Sequence, residues 1–527
     1  MLHQPHQRPT WFMVLAVAVL ATFGTLAFAG HHETPNVGGT LTVGYHNSLE
    51  VLDVMGVTAT RDEIWQMVFE PLVTMDANLE AVGLLAESWS VSEDGLSWTF
   101  ALRQGVTFHD GEPMTSADVA ASFERLMSVG ARRSEFQRIT SMEVVDDYTV
   151  VFHTDSPWGA LPETFSMPSG AFVVYPAWVV ERLGDDLMSI TDVDLMIGTG
   201  PYFVSEIIPG ERLVFDRFDA YTQPHGEPSG WAGPRGQYVD RVVVLPITDE
   251  ATRSLALFAG EVDIADQLPP EDVPRLDADP STVAAYREPG RRTYLKMNDK
   301  NGPFTDPLLR RAVQVAIDLE EAMFAQGPSE SWRANPFVRY QEGQWMWDGE
   351  LLTDYFPVDL ERGRQLVAES SYDGELIRYL TRPDLPDQYR PTAVILELLQ
   401  DLGLNAELMV VDGATFTDVR RDMTGWEIKS AGGGSVVPLS YLDASGIDRN
   451  GEPWNWVGDD WYTQLQIIAD EIDEDIRRQA VHDLVIISAE AAGEIWLGDV
   501  FSVVGVRDNV RNVPDWHYMR LFDVWLD

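Results

Sequence analysis

The sequence of 527 residues contains no cysteine, so a disulfide framework and a thiolate metal site are both excluded. The acylated cysteine that tethers many exported proteins to a membrane is missing for the same reason. Lysine is nearly absent as well, with only Lys296, Lys300 and Lys429. The formal net charge is −47. Because binding to a phosphate backbone needs a basic face, nucleic acid is excluded as a partner.

The acidic excess also bears on the medium in which the protein works. The chain has 84 acidic and 37 basic residues, and arginine supplies nearly all of the positive charge. Dissolved salt screens the self-repulsion of such a surface, so one hypothesis is adaptation to a salty medium. Plain solubility is the alternative.

Motifs that carry catalysis or bind cofactors are also missing. The chain has no Gly-Lys-Ser/Thr phosphate loop, no His-Glu-x-x-His and no Gly-x-Ser-x-Gly elbow. Gly198-Thr199-Gly200 lacks the third glycine of a dinucleotide site. The acidic groups at 192–194 and 470–475 do not have the pattern of a calcium loop, and a solvated helix start explains the second one better. We therefore expect no catalytic centre, no cofactor and no metal.

A single long apolar run, Trp11–Phe28, lies near the start of the chain. It follows the basic Arg8, no acid precedes Glu33, and Ala27-Phe28-Ala29 forms a small-x-small cleavage pattern before Gly30. These features predict a signal peptide over residues 1–29 and a periplasmic protein without a lipid anchor. An uncleaved membrane anchor is the alternative, since a spanning helix needs about 20 apolar residues.

The chain is too long for one hydrophobic core, so we expect at least two core-bearing lobes. Strands and helices alternate in both halves, which favours α/β lobes. Strands are predicted at 41–44, 98–102, 149–153 and 404–410. Helices are predicted to start at Thr115 and at 305–307, and a third to span 392–402 and stop at Gly403. The Pro- and Gly-rich stretch 222–236 is predicted to be a surface loop.

An ordered set of segments gives a more specific indication. It comprises Leu85–Trp89, Glu93–Phe100, Leu102–Gly111, Gly198–Tyr202, Gly260–Ile264, Arg310–Val313 and Ala316–Asp318. In this order the set resembles the family 5 extracellular solute-binding proteins, which are the dipeptide, oligopeptide and nickel binders of ABC importers. The resemblance extends from about residue 38 to the C-terminus.

The resemblance implies a two-lobed α/β periplasmic binding protein fold with the ligand cleft between the lobes. The main lobe is expected to comprise residues 30–75, 198–295 and 491–527. A subdomain of residues 76–197 is inserted into it, and residues 296–490 form the second lobe. Contacts of the ligand with both lobes favour the closed state, which is presented to a membrane permease. The protein is expected to act as a monomer.

The resemblance also implies candidate ligand contacts. An arginine ahead of a second-lobe helix grips the peptide carboxylate in dipeptide-binding relatives, and Arg382 stands in that place. An acid in a later Trp/Gly-rich loop receives the peptide ammonium, but the corresponding loop 426–436 lacks the expected aspartate, and Glu427 is a weak substitute. For Arg382 the alternative is a surface ion pair with Asp384 or Asp387.

Further residues are expected to line the pocket, although plain packing or loop solvation is the alternative for each. They are Tyr45, His46 and Asn47 from the first lobe, with Gly200, Tyr202, Trp426 and Ser435. The leading hypothesis is a binding protein that delivers a peptide or another small carboxylate-bearing solute to an ABC permease. A metal-chelate carrier of the nickel type, an exported hydrolase and a sensory receptor protein remain alternatives.

Overall fold

The structure is a computed structural model that describes residues 34–48, 53–56, 63–166, 172–188, 192–337, 344–434, 458–513 and 520–527. The predicted signal peptide and Ser435 lie outside these ranges. Residues 36–527 belong to one compact unit. Within the described ranges, no helix combines the length and the apolar character that crossing a membrane requires.

The described residues form 19 strands. Their bounds are β1 Thr40–Tyr45, β2 Val73–Met75, β3 Ala81–Gly83, β4 Ala86–Val91, β5 Ser97–Leu102, β6 Ile139–Asp146, β7 Thr149–Thr154, β8 Tyr202–Ile208, β9 Arg212–Arg217, β10 Arg241–Pro246, β11 Ile264–Leu268, β12 Thr282–Met297, β13 Trp332–Ala334, β14 Ile377–Thr381, β15 Ala406–Val410, β16 Ile428–Gly434, β17 Glu494–Arg507, β18 Val510–Arg511 and β19 Trp525–Leu526.

The same ranges contain 13 α-helices. These are α1 Ser116–Val129, α2 Leu161–Phe165, α3 Ala177–Leu183, α4 Glu250–Ala259, α5 Val273–Ala278, α6 Pro307–Ala316, α7 Leu319–Phe324, α8 Leu360–Glu369, α9 Pro386–Tyr389, α10 Thr392–Asp401, α11 Gly413–Asp422, α12 Asp459–Asp470 and α13 Glu474–Ala491.

The main sheet has eleven strands in the order β15-β14-β16-β12-β17-β11-β1-β10-β9-β8, and β13 pairs with β17 beside this path. Its two central strands, β12 with 16 residues and β17 with 14, run antiparallel along nearly their whole length. On one side β17 pairs with β11, and on the other side β12 pairs with β16. The central pair therefore belongs to both halves of the sheet.

Each half of the sheet has its own core. The first core includes Leu41, Val43 and Phe215 and continues into the separate antiparallel sheet β4-β5-β7-β6. The second core includes Leu295 and Ile377, and α12 and α13 pack together in a smaller third cluster. The expectation of more than one core is confirmed.

The local signals of the sequence predict the helix ends well. Thr115 and the side chain of Asp118 form a capping box at the start of α1. At α6 the side chain of Asp306 accepts a hydrogen bond from Leu308 N at 2.9 Å, and Pro307 is the first helical residue. Gly403, just beyond α10, has a φ of 86°, which suits a glycine at a helix end.

One prediction about the chain between β9 and β10 is wrong in part. The stretch 222–236 contains no helix or named strand, but it is not a surface loop throughout, because Trp231 and Arg235 have no exposed surface. Arg235 Nη1 donates to Gln66 O at 2.9 Å and lies 3.1 Å from a carboxylate oxygen of the buried Glu70. These partners hold the stretch against the first core.

Candidate ligand-binding cleft

The parallel strands of both halves end where the central pair passes from one half to the other. Strand β1 runs parallel to β10 and β11, and β11 is antiparallel to β17. In the other half β14 is parallel to β15 and β16, while β16 is antiparallel to β12. The carboxyl ends of both sets therefore point to residues 287–291 of β12, which we call the crossover. Ligands of open α/β sheets bind beyond such ends.

On the first-half side, three ionisable side chains meet at the crossover. His46 follows β1, and its Nδ1 contacts Asp266 Oδ2, while Arg287 Nη2 contacts Asp266 Oδ1. Asp266 has no exposed surface. Burial alone raises the pKa of its carboxyl, but the charges of Arg287 and His46 outweigh burial and lower this pKa to about 2. Asp266 is therefore a buried anion that orients the side chains of His46 and Arg287.

The first-half cluster contains a further positive charge. Arg253 donates through Nη1 to Ile247 O at 2.5 Å and through Nη2 to Gln267 O at 2.6 Å. Its Nε also donates to the backbone oxygen of Asp266. Arg253 thus adds a second guanidinium beside Asp266, and the carboxylates of Glu250 and Asp249 also act on it.

On the second-half side, Arg291 is the first residue of β12 that pairs with β16, opposite Gly434. Its Nε donates to Asp387 Oδ2 at 2.8 Å. The side chain of Asp387 is 8% exposed and that of Arg291 is 41% exposed. Gln326 Nε2 also donates to Asp387 O at 2.7 Å, which ties α9 to the rest of this half.

The glycines of β16 leave room at the same place. A Cβ on Gly432 would come within 2.7 Å of Arg292 O and 3.0 Å of Gln388 Nε2, so only glycine lets Gln388 lie here without a shift. Among the described residues, a Cβ on Gly433 would meet nothing within 4 Å.

Arg382 lies in a different position. Its Nε and Nη2 donate to Asp384 Oδ1 at 2.8 Å and Oδ2 at 2.6 Å, and its guanidinium lies 5.5 Å from the ring centre of Phe416. Strand β14 ends at Thr381, and its residue Leu380 pairs with Lys429 of β16. Thr381 is therefore level with Ser430, which lies four residues before Gly434 in β16. Four residues span about 13 Å along a strand. The structure thus shows the ion pair with Asp384 that was the alternative for Arg382.

Gly200 and Tyr202 belong to the scaffold in this structure. A Cβ on Gly200 would lie 2.3 Å from Met67 O, and Tyr202 is fully buried with its hydroxyl donating to Val239 O at 3.1 Å. His109 Nε2 donates to Gly200 O at 3.0 Å, and its Nδ1 accepts from Gly198 N at 3.2 Å. Burial lowers the pKa of this imidazole to about 4, although the bond to Gly200 O acts in the opposite direction.

Of the remaining predicted pocket residues, some belong to the scaffold and others lie near the crossover. Trp426 has no exposed surface and packs with Leu380 and Phe416, far back from the crossover. Glu427, the possible substitute for the missing aspartate, accepts from Arg378 Nη2 at 2.6 Å. Tyr45 is buried with its ring 4.7 Å from that of His46, and Asn47 is partly exposed just beyond it. Only the segment of residues 45–47 reaches the crossover among these.

The two halves also touch on one flank of the crossover, through a contact that we call the seam. Gly159 N donates to Asp470 O and Ala160 N to Ala469 O, both at 3.2 Å. Arg138 Nη2 donates to Asp470 Oδ1 at 2.7 Å. The seam therefore joins the stretch between β7 and α2 to the end of α12.

A buried ion pair lies next to the seam, and a second contact lies on another flank. Arg477 of α13 reaches Glu163 Oε2 of α2 at 2.5 Å, and both side chains are at most 9% exposed. Arg390, just after α9, reaches Glu271 Oε1 at 2.6 Å. The two halves are therefore in contact at the seam and at the Arg390–Glu271 ion pair.

Sequence reasoning missed Asp266, Arg287 and Arg291, and it considered Asp387 only as a partner of Arg382 rather than of Arg291. A usable signal was present in the segment 287–292, where three of the 37 basic residues fall within six positions of a strongly acidic chain. No group of three or more His, Asp or Glu side chains with the geometry to hold a metal ion occurs among the described residues.

The fold and the cleft define a class of protein: a two-lobed α/β binding protein whose ligand lies between the halves. Comparison with known sequences identifies the family. Residues 80–452 match the bacterial extracellular solute-binding proteins, family 5 (middle), and the chain belongs to this family. The predicted family and the predicted fold class are therefore confirmed.

Individual relatives agree with this assignment. The chain is 28% identical over 435 residues, 80% of each chain, to a Sinorhizobium fredii protein named "probable peptide ABC transporter periplasmic-binding protein". It is 25% identical over 396 residues, 72% of each chain, to the glutathione-binding protein GsiB of Salmonella paratyphi A. The substrate-binding protein CtaP of Listeria monocytogenes shares the fold, with a TM-score of 0.79 and 20% identity, over 93% of this chain and 100% of that one.

Proposed function

We propose that this protein is the exported binding component of an ABC importer, and that it captures a peptide or another small carboxylate-bearing solute. The observation that carries the proposal is the pair of guanidinium groups at the crossover, Arg287 and Arg291, in a chain with a net charge of −47. Guanidinium N–H groups in a cleft are suited to binding an anionic group of a ligand. The names of the peptide- and glutathione-binding relatives support the same ligand class.

The two halves act as lobes that close around the ligand. The expected main lobe comprises 30–75, 198–295 and 491–527, and the second lobe comprises 296–490. Strand β12 crosses the boundary between them at 295/296, and β17 pairs with β11 of the main lobe and β13 of the second lobe, so the hinge lies within these two strands. We place it at residues 287–291, because the register of β12 against β17 shifts there. The insertion of 76–197 carries the four-stranded sheet and one side of the seam.

The mature protein starts near Gly30, is monomeric and carries no lipid anchor, since the chain has no cysteine. It performs no chemistry on its ligand. The intact mass of protein recovered from the periplasm tests the first point, and a mass that retains residues 1–29 contradicts it.

The ligand class is tested with protein purified under native conditions. Native mass spectrometry identifies any small molecule that co-purifies, and calorimetry with dipeptide pools, glutathione and D-alanyl-D-alanine then measures affinity. Stoichiometric binding without products supports the proposal. Turnover of a probe identifies a hydrolase instead, and binding only of metal chelates identifies a chelate carrier.

A further inference from the structure

We infer that Arg291, rather than Arg382, binds the carboxylate of the ligand at the crossover. This inference rests on the proposed function, because it names the residue by which a carboxylate-bearing solute is held. It concerns a side chain that neither motif nor resemblance singles out.

The guanidinium of Arg382 is already occupied. A carboxylate is best bound through two parallel N–H groups of one guanidinium edge. In Arg382 the edge formed by Nε and Nη2 binds both oxygens of Asp384, two residues further along the chain. A ligand carboxylate has to displace that neighbour or bind through the remaining Nη1, and it loses the advantage of the fork in either case.

The guanidinium of Arg291 is held by one bond and otherwise open. Asp387 accepts a hydrogen bond from Nε alone. No partner within the described part of the chain accepts from Nη1 or Nη2, and 41% of the side chain is exposed. The end of the guanidinium therefore offers two parallel N–H groups to a planar carboxylate, while Asp387 fixes the orientation of the group.

The position of Arg291 suits a ligand enclosed between the lobes. It pairs with Gly434 on one side and Val500 on the other, so no bulky side chain stands opposite it in β16. Four residues earlier on the same strand, Arg287 begins the chain of contacts to Asp266 and His46. A carboxylate bound to Arg291 thus lies where strand ends from both lobes converge.

The hydrogen-bond donors at the crossover favour an anion over a cation. Asp387 accepts only from Nε of Arg291, and a second guanidinium, that of Arg287, lies four residues earlier on the same strand. Closure of the cleft excludes water, which strengthens each charge-assisted hydrogen bond. The recognised group is a carboxylate, such as the C-terminus of a peptide.

The test compares Arg291→Gln and Arg382→Gln by calorimetry. The probes are alanyl-alanine, D-alanyl-D-alanine and glutathione, each used as the free acid and as the C-terminal amide. Arg362→Gln is the matched control, because Arg362 is 46% exposed, also pairs with a single acid, and lies on α8. We expect Arg291→Gln to weaken binding of the free acid ten- to a hundredfold and to leave binding of the amide unchanged. Arg382→Gln and Arg362→Gln should change Kd less than twofold.

Arg291→Lys keeps the charge and the bond to Asp387 but not the fork, so it should recover part of the loss; it also serves if Arg291→Gln does not fold. If Arg291→Gln loses equal affinity for the free acid and for the amide, Arg291 has a structural role and the inference is overturned. Weakening by Arg382→Gln alone also overturns it, while the proposed function stands. If none of the free acids binds the wild-type protein, the proposed function fails, and the inference fails with it.

Discussion

Replacing Gly159 by alanine should hold the seam open. An alanine Cβ at this position would lie 1.6 Å from Glu471 O and 2.5 Å from its carbonyl carbon, both of them backbone atoms. Real Cβ contacts essentially never fall below 3.0 Å, so the two backbones have to separate by about 1.4 Å. A change of rotamer cannot relieve this clash, because the position of a Cβ is fixed by its own backbone and the atoms that it meets are backbone atoms of Glu471.

The cost follows from the bonds that this separation breaks. The hydrogen bonds of Gly159 N and Ala160 N to residues 470 and 469 are each worth about 0.5–1.5 kcal/mol net. The partly exposed pair of Arg138 with Asp470 adds under about 1 kcal/mol. Loss of the two backbone hydrogen bonds alone therefore costs the closed state about 1–3 kcal/mol. If closure and ligand binding are coupled, affinity falls about five- to 150-fold.

Small-angle scattering and calorimetry measure the two consequences. Gly159→Ala should keep a larger radius of gyration than the wild type in the presence of ligand, and it should bind more weakly. Gly425→Ala is the control, because among the described residues its Cβ meets only a side-chain atom, Cγ1 of Val419 at 3.2 Å, and no backbone. A scattering profile and a Kd equal to those of the wild type would show that the seam plays no part in closure.

Three further predictions concern pH and salt. Since the pKa of His109 is lowered to about 4 from about 6.5 in the unfolded chain, its neutral form stabilises the fold above pH 6.5, and this contribution disappears as the pH falls through 4. The free energy of unfolding, measured by urea titration, should therefore fall between pH 7.5 and pH 4.5 in the wild type. In His109→Gln this fall should be about 2–3 kcal/mol smaller than in the wild type; equal falls in the two proteins would contradict the burial argument. For Asp266, with a pKa lowered to about 2, the stabilisation is present above about pH 4 and lost as the pH falls through 2. The stability gap between wild type and Asp266→Asn should accordingly narrow by about 2–3 kcal/mol between pH 5 and 2, and a constant gap would show that Asp266 is not the titrating group. Raising NaCl from about 0.1 to 1 M should raise the Tm of the wild type, because screening shortens the range of its self-repulsion; an unchanged or lower Tm argues against a salt-adapted surface.

The predictable part of this structure is local. A capping box, a proline after an aspartate and a glycine past the last turn involve residues within four positions of one another, at Thr115, Asp306 and Gly403. The alternation of such elements then indicates an α/β protein. Each step depends on interactions that a short stretch of sequence contains in full.

The crossover depends on contacts that no local pattern encodes. Arg291 and Asp387 are 96 residues apart, and His46 and Asp266 are 220 apart. Strand order and direction bring them together, and only the three-dimensional structure supplies both. For Arg382 the resemblance correctly indicates the position in the chain. It does not indicate the contact, because the guanidinium binds the nearby Asp384.

The residues that reveal the family lie mainly in the scaffold rather than at the crossover. His109 of one signature segment is bonded to Gly198 and Gly200 of another, while Thr199 Oγ1 donates to the buried Glu70 at 2.8 Å. Glu70 also accepts from Tyr221 at 2.7 Å. Removing one member of such a buried network leaves its partners unsatisfied, at about 1–3 kcal/mol for each group. A half-exposed crossover residue such as Arg291 carries no comparable folding penalty, so its identity is free to follow the ligand. Likeness in the signature therefore predicts how the lobes are built, whereas the ligand has to be inferred from the residues of the crossover.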